Sequence, residues 1–198
     1  NEYDVKVKTK KSLDSSFLAR LIDSLNQQLS LFTSRFQKPN NLACTAEVWK
    51  SPSSLVFSVI DDPNRLKTSP PTTDANLLAG QISNPKYAYF NLHGLKDSAE
   101  WYGQKDLTKR EPGPEYPIAM LPENFNSVSS APALVLSEAC YGANILNKMA
   151  SESIALNFLA SGTRAFVGST CIAYGSVSRP LIAADLLAWH FWKLVMND

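Results

Sequence analysis

The chain is poor in the residues that build metal sites and disulfide frameworks. It holds two histidines, His93 and His190, and three cysteines, Cys44, Cys140 and Cys171. An odd, sparse set of cysteines argues against a disulfide framework, and the lack of any CxxC pair argues against structural zinc. No Gly-rich phosphate loop occurs, and nothing in the sequence asks for a cofactor or a metal. No apolar run approaches the ~18 residues of a membrane span, and no signal peptide opens the chain. It begins at Asn1 rather than Met, which reads as a piece of a longer protein. Neither sign of charge dominates: 19 basic residues against 18 acidic ones leave a net charge of +1. That gives no electrostatic reason to expect nucleic acid or an anionic membrane as partner.

What is present suits a packed core. Hydrophobic residues make up 44% and charged residues 19% of 198 residues, a length that fits one domain over 1–198. The first ten residues alternate as a short edge strand. Phe17, Leu21, Leu25, Leu29 and Phe32 recur at helical spacing over about 14–35. Two strands are expected over 44–49 and 55–60, around a Ser-Pro-Ser-Ser turn. A short helix over about 74–82, with Thr72 or Thr73 as its cap, precedes a β-rich run over 87–92 that stops at His93-Gly94. The stretch 96–132 reads as a long polar loop that includes Pro112, Pro114, Pro117 and Pro122, mobile and open to processing near residues 105–110. A strand over 133–139 follows, then a helix over 152–161 closed by Gly162. The last elements are a strand over 164–167 and a helix with Pro180 in its first turn. Apolar strands alternating with helices predict an α/β fold, a mainly parallel sheet with helices on both faces.

Three of these strands end in polar or small residues: Leu92-His93-Gly94, Ala139-Cys140-Tyr141-Gly142 and Gly168-Ser169-Thr170. Ligands of open α/β sheets sit outside the carboxyl ends of the strands. One sheet edge would therefore carry an imidazole and a thiol together. A thiolate is a nucleophile, and a neighbouring imidazole can take the thiol proton. The amides of Gly94 and Cys140 are natural donors to a developing oxyanion, and Gly142 is expected to let the chain turn sharply after the thiol. Cys44 and Cys171 read as packing residues, and His190 as structural or surface.

Glu138-Ala139-Cys140-Tyr141-Gly142 resembles the caspase signature Q-A-C-[RQG]-G, in which the histidine lies about 50 residues upstream. The segments YAYFNLHG, WYGQ, YPIAML, LVLSEACYGA and FLASGTRAFVGSTCIAYGS are closer still to bacterial gingipain-type peptidases and CHAT domains of the caspase-like clan. The likeness runs from about residue 72 to the end. It implies a caspase-like three-layer sandwich and a cysteine endopeptidase acting on protein or peptide substrates, with room for a regulatory domain or partner protein. It implies His93 as general base and acid, Cys140 as nucleophile, and Gly94 in the oxyanion hole. Glu138 stands where caspases have Gln, so the caspase residues for an acidic P1 side chain do not carry over. Glu138, Ser169, Thr170, Tyr174 and Asp61 are the candidate substrate-binding residues, and the acidic ones point to a basic P1. Two other readings stay open: a catalytically silent caspase-like scaffold, and another thiol enzyme such as an amidase or transpeptidase on the same dyad.

Overall fold

The structure, a computed structural model, describes residues 16, 19–20, 22–26, 40–77, 79–109 and 112–197. The chain divides into two compact units, Asn1–Lys38 and Pro39–Asp198, where the sequence reads as one domain. In the first unit the described residues are helical, with Ile22 and Leu25 exposed. The expected strand over 1–10 and the remainder of the helix over 14–35 lie outside the described residues.

The second unit is an α/β fold on a five-stranded sheet. Its strands are β1 (Leu42–Ala46), β2 (Lys67–Ser69), β3 (Tyr87–Asn91), β7 (Leu134–Ser137) and β8 (Ala165–Gly168), in the order β2-β1-β3-β7-β8. Every pairing is parallel. Parallel strands need both faces covered, which is why LACTA, YAYFN and LVLS are apolar almost throughout. Alternate residues feed two separate cores. Leu42, Cys44, Phe90 and Val135 pack with Ile154 and Phe158 of α3 (Ile154–Ala160). Ala43, Tyr89 and Leu136 pack with Val56 and Phe57 of α1 (Lys50–Phe57) and with Ala188 and Trp192 of α4 (Ala183–Asn197). The result is three layers, helix, sheet, helix. Trp192 is fully buried, and its truncation to Ala would cost about 3–5 kcal/mol.

Several elements differ from the sequence expectation. Residues 55–60 do not form a strand: Leu55–Phe57 close α1, and 58–60 are a turn. Pro52, Ser53, Val56 and Phe57 are the buried positions, a helical stripe with proline in the first turn. The strand expected over 44–49 stops at Ala46 and passes into a 3-10 turn at Glu47–Trp49. The helix expected over 74–82 shortens to α2 (Ala79–Ile82), and Asn76 Oδ1 accepts from the Thr73 amide in the turn before it. Pro180 precedes α4 rather than entering it; Ser176 Oγ bonds the Pro180 carbonyl and the Ile182 amide, so the chain turns before the helix starts.

The largest difference is in 96–132. β5 (Trp101–Tyr102) pairs antiparallel with β4 (His93–Gly94) and with β6 (Ile118–Met120), a small second sheet at the carboxyl end of β3. Trp101, Ala119, Met120 and Phe125 are buried in the α3-side core, and that burial organises what composition reads as loop. Lys105 is buried with Nζ on the Gly113 carbonyl, and Lys109 pairs with Glu47. Among the described residues, no helix is long and apolar enough to cross a membrane.

Candidate active site

Three neighbouring strands deliver the site. The turn after β1 supplies Trp49, the residues after β3 supply His93 and Gly94, and those after β7 supply Cys140. His93 and Cys140 line one cavity of about 300 Å³, together with Trp49, Asn91, Glu138 and residues 172–177. The two strand ends touch: a β-carbon on Gly94 would land on the Cys140 carbonyl oxygen. Only glycine permits that approach.

The imidazole is held on three sides. Its ring lies 4.4 Å from the Trp49 ring, tilted at 50°, and 5.5 Å from Tyr116 edge-on. Nε2 lies 2.9 Å from Gln104 Oε1. Gln104 Nε2 donates to Tyr116 Oη at 3.3 Å, which turns the amide oxygen toward the ring. That oxygen can only accept, so the neutral ring carries its proton on Nε2 and leaves Nδ1 basic. The backbone of Gln104 is pinned in turn: its amide donates to the Ser69 carbonyl at 3.1 Å and its carbonyl accepts from Val48 at 3.2 Å. Gly103 lies so close to Ser69 that a β-carbon would overlap it. Gln104 lay within WYGQ, yet its role was hidden, because only the small second sheet brings it to the ring.

Cys140 is half-buried. Its sulfur donates to the Ala173 carbonyl and accepts from the Ala173 amide, both at 3.3 Å. Tyr141, next in the chain, takes the left-handed conformation at φ 55°. The turn expected of Gly142 therefore falls on Tyr141. Gly142 serves close packing instead: a β-carbon there would sit 3.0 Å from the Ala139 carbonyl and 3.2 Å from Ser137 Oγ.

Beneath the cavity lies a buried polar chain. Tyr89 Oη donates to Glu138 Oε1 at 2.7 Å, and the protonated Glu138 carboxyl can donate in turn to Asp185. Asp185, fully buried in the first turn of α4, accepts from Asn91 Nδ2 at 3.3 Å and from the Ser176 amide. Asn91 also donates to Ser53 Oγ at 3.0 Å, and Ser53 bonds Thr45 at 2.8 Å. Burial, and then the negative charge of Asp185, push the Glu138 carboxyl well above its ordinary range. Burial raises Asp185 as well, against the pull of the Ser176 amide. Asp185 has the amide donor, so it holds the charge of the pair, and Glu138 holds the proton.

The other expected site residues are dispersed. Tyr174 lines the cavity and is exposed. Ser169 lines a neighbouring space of about 350 Å³ that shares Glu138, Ala173 and Ala184 with the first, and its hydroxyl bonds the Cys171 carbonyl at 2.9 Å. Thr170 is exposed and lines neither. Asp61 is a correction. It pairs with Arg65 at 2.6 Å and accepts from Asn41 at 3.2 Å, beside the amino end of β1, because the run before it is helix α1 rather than a strand leading to the site. Asp185 and Asn91 went unnoticed in sequence, since a carboxylate opening a helix and an amide closing a strand are both ordinary. Cys44 is fully buried, as packing requires, whereas Cys171 is exposed, which overturns its reading as a packing residue. Among the described residues, no group of three His, Cys, Asp or Glu is placed to hold a metal ion.

Comparison with protein-family models, with curated proteins and with solved structures gave no match.

Proposed function

We propose that the chain is a caspase-like cysteine endopeptidase of the gingipain and CHAT type, with His93 and Cys140 as its dyad. The observation that carries this reading is their common cavity at the carboxyl ends of adjacent strands β3 and β7. Nδ1 of His93 takes the thiol proton as the Cys140 sulfur attacks the scissile carbonyl carbon. The new C–S bond leaves charge on oxygen, which the Gly94 and Cys140 amides meet. The C–N bond then breaks, and the imidazolium returns its proton to the leaving amine. Water, deprotonated by His93, attacks the thioester, releases the acid and restores the thiol.

The Glu138 carboxyl in the cavity wall supports a basic P1 side chain. A guanidinium or ammonium ion would pair with it and displace the Glu138 proton to solvent, since a buried cation needs an anionic partner. The test is a peptide library varied at P1. The wild type should cleave after Arg or Lys, and Cys140→Ala and His93→Ala should not cleave at all. Cleavage by Cys140→Ala at the wild-type rate would overturn the mechanism. Equal or better cleavage after Asp or Leu would overturn the basic subsite alone.

One observation favours a second reading, the silent scaffold: the sulfur's hydrogen bonds run to Ala173 rather than to His93. A folded wild type that cleaves no library peptide would select it.

A further inference from the structure

Resting on the reading of Cys140 as a nucleophile, we propose that Asp185 is a positioning residue that keeps the Ala173 backbone on the Cys140 sulfur. Asp185 does not line the cavity and cannot touch a substrate there. It acts through the segment that joins β8 to α4. The Ser176 amide donates to Asp185 Oδ2, and a β-carbon on Gly175 would sit 2.5 Å from the same oxygen. The Ala184 amide closes on the Tyr174 carbonyl at 2.9 Å, and Ile182 donates to Ser176 Oγ at 2.9 Å. Residues 174–176 are therefore folded onto the start of α4 around one buried carboxylate.

Ala173 stands at the free end of that arrangement. Its carbonyl can accept from the thiol and its amide can donate to the thiolate, both at 3.3 Å. The sulfur keeps a partner in either protonation state without any backbone movement. The N–H is a charge-assisted donor to the nucleophile once the thiol has lost its proton. The benefit needs the segment held in place, and Asp185 is anchored on its other side by Asn91, which Ser53 holds in turn. The titratable groups around the thiol are His93, Glu138 and Tyr174, which line the same cavity, and Tyr141 beside it in the chain.

The test reads the thiol rather than peptide cleavage. Folded protein is treated with iodoacetamide at neutral pH, and alkylation of Cys140 is followed by peptide mass, separately from Cys171. Asp185→Ala should slow Cys140 alkylation about tenfold, the effect of losing one hydrogen bond to a charged sulfur. Asp185→Asn keeps an acceptor for the Ser176 amide and should react near the wild-type rate. Gly175→Ala pushes the same contact apart from the other side and should slow the reaction as Asp185→Ala does. A folded Asp185→Ala protein alkylated at or above the wild-type rate would overturn the proposal. Should that variant fail to fold, Gly175→Ala decides in its place. Slowed alkylation in a protein whose wild type cleaves no peptide would uphold the positioning role while rejecting the peptidase.

Discussion

Gly94 packs its α-carbon against the Cys140 carbonyl oxygen, so the residue beside the imidazole and the residue bearing the thiol are in direct backbone contact. His93 and Cys140 are held together by that contact as well as by the pairing of β3 with β7. Gly94→Ala must part the two segments, because the obstructing atom is backbone and cannot rotate away. The expected cost is about 1–3 kcal/mol of overpacking, with hydrolysis lost beyond what the fall in stability explains. Urea unfolding beside peptide hydrolysis, measured well below the unfolding midpoint, checks this. Full activity in a folded Gly94→Ala protein would contradict the close approach.

Gln104 orients His93 without contacting the thiol. Gln104→Ala removes the acceptor on Nε2 and frees both the ring angle and the tautomer. The expected result is a fall in kcat of about tenfold or more, within the range general acid–base catalysis contributes, with KM and thermal stability little changed. Gln104→Glu keeps the acceptor and should restore most of the lost rate. A kcat unaffected by Gln104→Ala would remove this residue from the mechanism.

Sequence makes β1, β3, β7 and β8 legible because a strand covered on both faces must be apolar along its whole length, as Phe90 and Val135 are, whereas the polar edge strand β2, Lys67–Ser69, falls in a stretch that reads as loop. The positions of His93 and Cys140 at strand ends were legible for the same reason. Elements whose identity depends on partners were not. Leu55-Val56-Phe57 is β-prone by composition, yet Val56 and Phe57 bury one face of a helix against Trp192. Trp101 and Met120 form strands because they share a core with Phe90, a long-range fact that local pattern does not carry. A strand over 55–60 would carry Asp61 to the site, but those residues are helix and turn, and only the fold brings Asp185 of α4 beneath Glu138.

Three thiols in one chain should separate by environment. Full burial pushes the Cys44 thiol up to about 12, with Lys67 and the Thr45 amide pulling weakly the other way. At pH 8 in the folded protein, iodoacetamide should modify Cys140 and Cys171 and leave Cys44 untouched. All three should react in 6–8 M urea, an unfolding concentration of about that order. Rapid modification of Cys44 under native conditions would place it outside the core.

Trypsin should test the second sheet. Lys105 is buried on the Gly113 carbonyl, and Lys109 is paired with Glu47. Cleavage after Lys105 requires local opening, so that bond should survive limited digestion while exposed lysines, Lys109 among them, are cut. Glu47→Ala removes the acceptor of the Asp106 amide and the carboxylate paired with Lys109, and should speed cleavage after Lys105. Early cutting after Lys105 in the wild type would restore the mobile loop that composition suggested.

The Glu138 proton carries a stability signature with a definite sign. Burial and the nearby Asp185 charge raise the folded-state pKa of Glu138 well above its ordinary 4.5, so the folded protein keeps a proton that the unfolded chain gives up. Between those two values the native state binds more protons than the unfolded state, and stability falls as pH rises. The decline begins near the unfolded value of 4.5 and ends once the folded carboxyl has ionised. Glu138→Gln keeps the shape and can accept from Tyr89, but it cannot titrate. Its urea midpoint should fall less steeply than that of the wild type as pH rises from 4.5 to 8, an interval of roughly that width about the carboxyl range. What slope remains comes from Asp185, whose own upward shift acts in the same direction. The variant should also lose any preference for Arg or Lys at P1, since an amide offers no charge to a cation. Equal slopes in the two proteins would show that Glu138 is ionised in the folded state, and the proposed P1 subsite would then present a standing carboxylate rather than one that gives up a proton as substrate enters.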